Sequence, residues 1–295
     1  MKNSDKTRKM QALLLLLDDP DETVYEAVAA ELIKESPRII PKLEYVWENT
    51  CDENCQNRIE VLIQRLHFKE NYKKLRIWSK QQDPDLFEGF FLTSKYHYPD
   101  LNIDRIERKI EEIRRKVWVE LSNSLTSLEK ITVLNHVFFN DFGFSVDNEN
   151  HYSPRNCFVN QILETGKGNP VSMALLYTIV ANRLDLPVRF IDIPKTPLLA
   201  YVDRKIAAKV HPAGVETDVL FYINPANKGS ITGRRELEYQ VKRTGLEPSV
   251  RYFEASSSRT FLTRLLEITE KSYELNGFRE KTADIHQMIS VLNHK

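Results

Sequence analysis

Apolar residues recur at helical spacing over most of this chain, and that periodicity changes once. From residue 8 to 82 the spacing predicts short helices, punctuated by Pro20, Pro37 and Pro41. Val24, Ala27, Val28 and the run from Ala30 to Ile33 give the second helix its apolar face, with Asp19 or Asp21 as its cap. The string DDPDETVYEAVAAELIKESPRIIPKLE reads as a HEAT-like unit of acidic turn, helix, turn and helix, and IEVLIQRL with YKKLRIW as a second pair. Such modules serve packing or partner binding.

Residues 84–122 continue helical. Ile106, Ile110, Ile113 and Val117 form one stripe, and Glu111 with Arg115 and Glu112 with Lys116 are i,i+4 pairs of the favourable order. The charged run there is a solvated face, too rich in acids for a nucleic-acid patch. Residues 126–183 are helical again, broken by the polar loop DFGFSVDNENHYSPRN.

Near residue 188 the texture turns strand-like. RFIDI (189–193), LLAYV (198–202), KIAAKV (205–210) and VLFYIN (219–224) read as strands separated by proline and polar turns. Residues 259–293 read as a closing TPR-like helical hairpin broken at Gly277. The expected fold is therefore α+β and helix-rich. Its parts are a helical module at 1–84, a core with its entry helices at 85–252, and the hairpin at 253–295.

Composition narrows the function. With 295 residues the chain can bury a real core, and its 42 Lys+Arg balance its 42 Asp+Glu, so no global field favours nucleic acid or a membrane surface. The three cysteines, Cys51, Cys55 and Cys157, suit a reducing compartment, and the Cys51–Cys55 spacing lacks a second ligand pair. Leu13 to Leu17 after a basic start imitates a signal peptide, but the run is short and ends in Asp18-Asp19. The expectation is a cytoplasmic protein without metal or cofactor. Protein or peptide is the expected partner class, and the oligomeric state is not legible.

The sharpest local feature is GKGNPVSMALLYTIVANRL. Asn169 suits an N-cap, Pro170 suits the first helical position, and Val171 to Ala181 are almost wholly apolar, so the helix should be buried. The start of a buried helix favours a nucleophile, because the dipole and free N–H groups lower a thiol pKa and stabilise an oxyanion. Proline at that position supplies neither a nucleophile nor an N–H.

Residues from about 85 to 292 resemble the SirB1-like proteins, a bacterial group with a transglutaminase-like, papain-like core. The resemblance runs through KYHYPDLNIDRIERKI, then through LNHVFFNDFGFSVDNENHYSPRNCFVNQIL at Asn135, Phe139, Gly143, Phe144, Tyr152, Pro154, Asn156 and Asn160, and then through GKGNPVSMALLYTIVANRLDLPV. It implies a Cys–His–Asp triad at three stations. The Cys station falls on Pro170, two residues after Gly168 and fifteen before Asp185; the His station falls on Thr196 in IPKTPLL; the Asp station falls on Asn224 in LFYINPANKG. None of these residues can do the required chemistry. The resemblance thus implies a non-catalytic member, with the three stations clustered in space. The alternative is a hydrolase or acyl-transfer enzyme with a relocated site, Cys157 or Ser172 acting with His211. Ser172 also suits a packed helix residue bonded back to the chain, Cys157 an apolar filler, and His211 a surface turn. His97 and His151 sit beside tyrosines, which points to aromatic packing.

Overall fold

The computed structural model describes residues 2–194, 197–211, 217–247 and 249–293, with side chains from Arg8 onward. The chain divides into two compact units, Met1–Lys74 and Leu75–Lys295.

The first unit holds α1 (Lys2–Leu15), α2 (Glu22–Lys34), α3 (Ile40–Asn49) and most of α4 (Glu53–Ser79), which runs on into the second unit. Asp21 is the cap of α2, its carboxylate accepting from the Thr23 N–H. Of the predicted apolar face Val28 and Leu32 are buried, clustering with Leu17, Leu43, Ile59 and Leu66, while Ala27 and Ala30 are exposed and Tyr25 and Ala29 are buried in their place. Where the sequence suggested two helices around residues 57–78, one continuous helix of 27 residues forms. No glycine or proline interrupts the stretch, so nothing stops the helix once it has started.

The second unit continues with α5 (Leu86–His97), α6 (Ile103–Glu120) and α7 (Ser127–Asn135), the last passing into a π-helical turn at His136–Asp141. Ile106, Ile110, Ile113 and Val117 are all buried, as their spacing required. The expected Glu112–Lys116 pair gives way to Lys116–Asp141 at 2.8 Å, because the π-turn brings a carboxylate within reach. Then come β1 (Ser145–Val146), α8 (Val159–Thr165), β2 (Lys167–Gly168) and α9 (Pro170–Asn182). β1 and β2 pair in parallel, a short ladder that the pattern did not announce.

The strand-rich part is β3 (Val188–Ile191), β4 (Leu198–Val202), β5 (Val219–Asn224) and β6 (Ser230–Thr232), an antiparallel sheet in the order β3-β4-β5-β6. Residues 205–210, expected as a strand, form the helix α10 (Arg204–Val210). The Asp203 carboxylate accepts from the Ile206 N–H and starts it. Ala207 and Ala208 favour helix, and the flanking lysines suit its exposed side. His211 therefore ends a helix, not a strand. The chain closes with α11 (Arg234–Arg243), α12 (Ser258–Leu275) and α13 (Arg279–Asn293), the last two joined at Gly277, whose φ of +78° lies in the left-handed region. Strands follow helices and no large parallel sheet forms among the described residues, so the architecture is α+β and helix-rich.

Candidate functional site

The centre of the second unit is α9. Every residue from Val171 to Ala181 is buried, against α5, α6, α12 and the sheet. A helix enclosed in this way must satisfy the N–H groups of its first turn inside the protein. Pro170 removes one of them. The Asn169 side chain accepts the next two, from Val171 and Ser172, each at 2.9 Å. Ser172 returns the favour: its hydroxyl oxygen accepts from the Asn169 N–H at 3.0 Å, completing a capping box. The Met173 N–H bonds the Asn169 carbonyl. The start of α9 is thus closed on itself.

The 3-10 turn at Pro154–Cys157 presses on this cap. The Asn156 carbonyl accepts from the Ser172 hydroxyl at 2.6 Å, and from both the backbone and side-chain nitrogens of Asn169 at 3.2 Å. Asn156 is itself held by its side chain, which donates to Asp147 at 3.2 Å and to the Asn150 carbonyl at 2.8 Å. The Asn150 N–H and then the Asn156 amide hold the Asp147 carboxyl below its usual range.

Cys157 is fully buried beside the same cap. Its sulfur accepts from the Asn169 amide at 3.3 Å and lies 3.9 Å from the Ser272 hydroxyl. Burial pushes the thiol pKa up, which disfavours the reactive thiolate. His211 points elsewhere, its Nε2 lying 2.8 Å from the Val219 carbonyl. No hydrogen bond joins His211 to Cys157 or Ser172 among the described residues. The structure therefore brings Cys157 and Ser172 together around Asn169, and His211 is not joined to either among the described residues.

Pro170 begins α9 and Asn224 ends β5. Thr196 lies outside the described residues. The Asn224 carboxamide is spent locally, accepting from the Ala226 N–H at 3.1 Å. The turn that follows, Pro225–Asn227, packs on α9. Its far side is tied down through Asn135. The Tyr177 hydroxyl donates to the side-chain Oδ1 of Asn135 at 2.8 Å, and the Asn135 side-chain amide donates to the Gly229 backbone carbonyl at 2.8 Å. A Cβ at Gly229, whose φ is +71°, would collide with the Asn135 carboxamide. Asn135 stands among apolar residues in the sequence, whereas Asn156 lies in a polar loop where nothing singles it out.

Among the described residues, no group of three or more His, Cys, Asp and Glu is placed to hold a metal ion, and no helix is long and apolar enough to cross a membrane.

Residues 104–267 match the family model described as the transglutaminase-like superfamily. Among curated proteins the chain is similar to a UPF0162 protein of Xylella fastidiosa, 28% identical over 109 residues, which cover 37% of this chain and 39% of that protein. A UPF0162 protein of Pasteurella multocida is 30% identical over 90 residues, 30% of this chain and 34% of the relative. F-box only protein 21 of Mus musculus is 26% identical over 113 residues, 38% of this chain and 17% of that protein. The match thus spans about two-fifths or less of the length of these relatives. No solved structure matches the chain. A buried central helix entering from a Gly-rich turn, packed on a small antiparallel sheet, lies within the matched segment, and with more than half of its residues matched the chain belongs to the transglutaminase-like superfamily.

Proposed function

We propose that this chain is a non-catalytic member of its superfamily, acting in the cytoplasm as a binding or scaffold module for a protein or peptide. The observation that carries this reading is the closed start of α9. Acyl transfer at a helix N-terminus needs a nucleophile there and N–H groups left over for the oxyanion. Here proline holds the first position, and the Asn169 side chain consumes the two N–H groups that follow. The hydroxyl of Ser172 is spent on the Asn156 carbonyl, and the thiol of Cys157 is buried with its pKa pushed up. The Thr196 station is argued from sequence alone and adds that threonine is no base near neutral pH. What supports a binding role is the helical module at 1–84, whose usual work is packing or partner binding.

Activity-based labelling tests this. Native protein exposed to iodoacetamide or a fluorophosphonate is expected to modify Cys157 and Ser172 no faster than the urea-unfolded chain does. Labelling of either residue much faster than in the unfolded control would falsify the non-catalytic reading.

A further inference from the structure

Lys281 stands in the first turn of α13, where the chain comes back against α12. Its Nζ lies 5.7 Å from the centroid of the Tyr273 ring and 5.4 Å from that of Phe278, two rings set edge to face at 5.9 Å. Tyr273 is fully buried, and its hydroxyl is tied to His97 Nδ1 at 2.6 Å, so the amine rests on a fixed apolar floor. Phe278 is half-exposed and covers it from the other side.

No carboxylate pairs with this amine among the described residues. Asp284, three residues on, accepts from the Tyr96 hydroxyl at 2.9 Å. Lys271, on the other helix of the same hairpin, pairs with Glu274 at 2.7 Å. Lys281 is half-buried, yet its Nζ still reaches solvent.

Two effects favour the free amine over the ammonium. The rings strip water from the charged form, and burial holds the pKa below the usual lysine value. The start of a 15-residue helix adds the positive end of its dipole. The cation–π attraction opposes them, but at these distances it is weak. The charge of Lys281 also reaches His97, where it adds to the burial that keeps that ring's pKa at about 4. A lysine desolvated against an apolar surface, without a counter-ion, is the form in which this side chain becomes a nucleophile.

We propose that Lys281 is a modification site, acylated directly by an acyl phosphate. The Nζ lone pair attacks the carbonyl carbon of the donor and a C–N bond forms. The bond from that carbon to the phosphate oxygen breaks, phosphate leaves with the electron pair, and the amine proton passes to water. The donor is an anion, which the helix start attracts. The product is a neutral, planar amide, which suits the two ring faces better than a charge does. The site lies on the α12–α13 hairpin, apart from the start of α9, and stands independently of the non-catalytic reading.

The test treats the full chain with acetyl phosphate near neutral pH and follows each lysine by peptide mass spectrometry. Lys205, exposed on α10, serves as the internal reference. The ratio of the Lys281 rate to the Lys205 rate is expected to be severalfold higher in the native protein than in the chain unfolded in guanidinium. Phe278→Ser, which removes the half-exposed ring over the amine, is expected to lower that ratio towards the unfolded value. A native ratio no higher than the unfolded one overturns the proposal. So does an undiminished ratio in a folded Phe278→Ser protein. If that variant does not fold, the comparison of native and unfolded chain still decides.

Discussion

The Asn169 side chain makes four hydrogen bonds at the start of α9: it accepts from Val171 and Ser172 and donates to the Asn156 carbonyl and the Cys157 sulfur. All of these groups are buried, so alanine there leaves donors and acceptors with no water to turn to. Asn169→Ala is expected to cost about 2–4 kcal/mol, the loss of a cap plus the desolvation of its former partners, measured by urea denaturation. His97 makes a pH prediction at the same scale. Burial lowers its pKa from 6.5 to about 4, so between those values the unfolded chain binds the proton and the folded one does not. Stability should therefore fall as pH drops from about 6.5 towards about 4. His97→Gln keeps an acceptor for Tyr273 but has no titration in that window. Its stability should change less over the same range in parallel denaturation curves, and an identical slope in both proteins would remove His97 as the cause.

At the scale of elements, α9 is held at its start and at its middle by turns from other parts of the chain. The turn at Pro154–Cys157 meets its start, and Tyr177 reaches through Asn135 to the turn after β5. Gly229 is the tightest point of that second contact. Gly229→Ala must place a side chain at a φ of +71° and displace the Asn135 carboxamide. The expected loss is about 2–4 kcal/mol, read from the thermal or urea transition. Asn135→Ala combined with it should relieve the collision but not the backbone strain, so the double variant should lose less than the sum of the single ones.

Across the whole molecule the two units, 1–74 and 75–295, each carry an apolar core. Leu32 is fully buried in the first. Leu32→Ala should cost that unit about 2–5 kcal/mol through lost burial and a residual cavity. Hydrogen exchange should then accelerate in α1 to α3 while the amides of α9 keep their protection. Equal acceleration in both would mean that the units open together.

The elements that periodicity alone decides were legible from the start: the stripe of α6, the buried helix α9, strands β4 and β5, and the break at Gly277. Each depends on neighbours a few residues away, whose spacing puts apolar groups on one face or whose backbone needs glycine. The helix that starts at Pro170 and the strand that ends at Asn224 were legible in the same way. Residues 205–210 misled because a short apolar run between polar turns fits a strand, while the Asp203 cap, two alanines and lysines four apart tip the segment towards helix. The single helix α4 misled in the opposite way, since no local signal counts turns. What the sequence could not show is where polar groups find their partners. That Asn169 closes the start of α9 and that Asn135 joins Tyr177 to Gly229 are facts about residues up to 94 positions apart. Only the packed structure decides them, because a hydrogen bond is set by distance in space and a sequence records only distance along the chain.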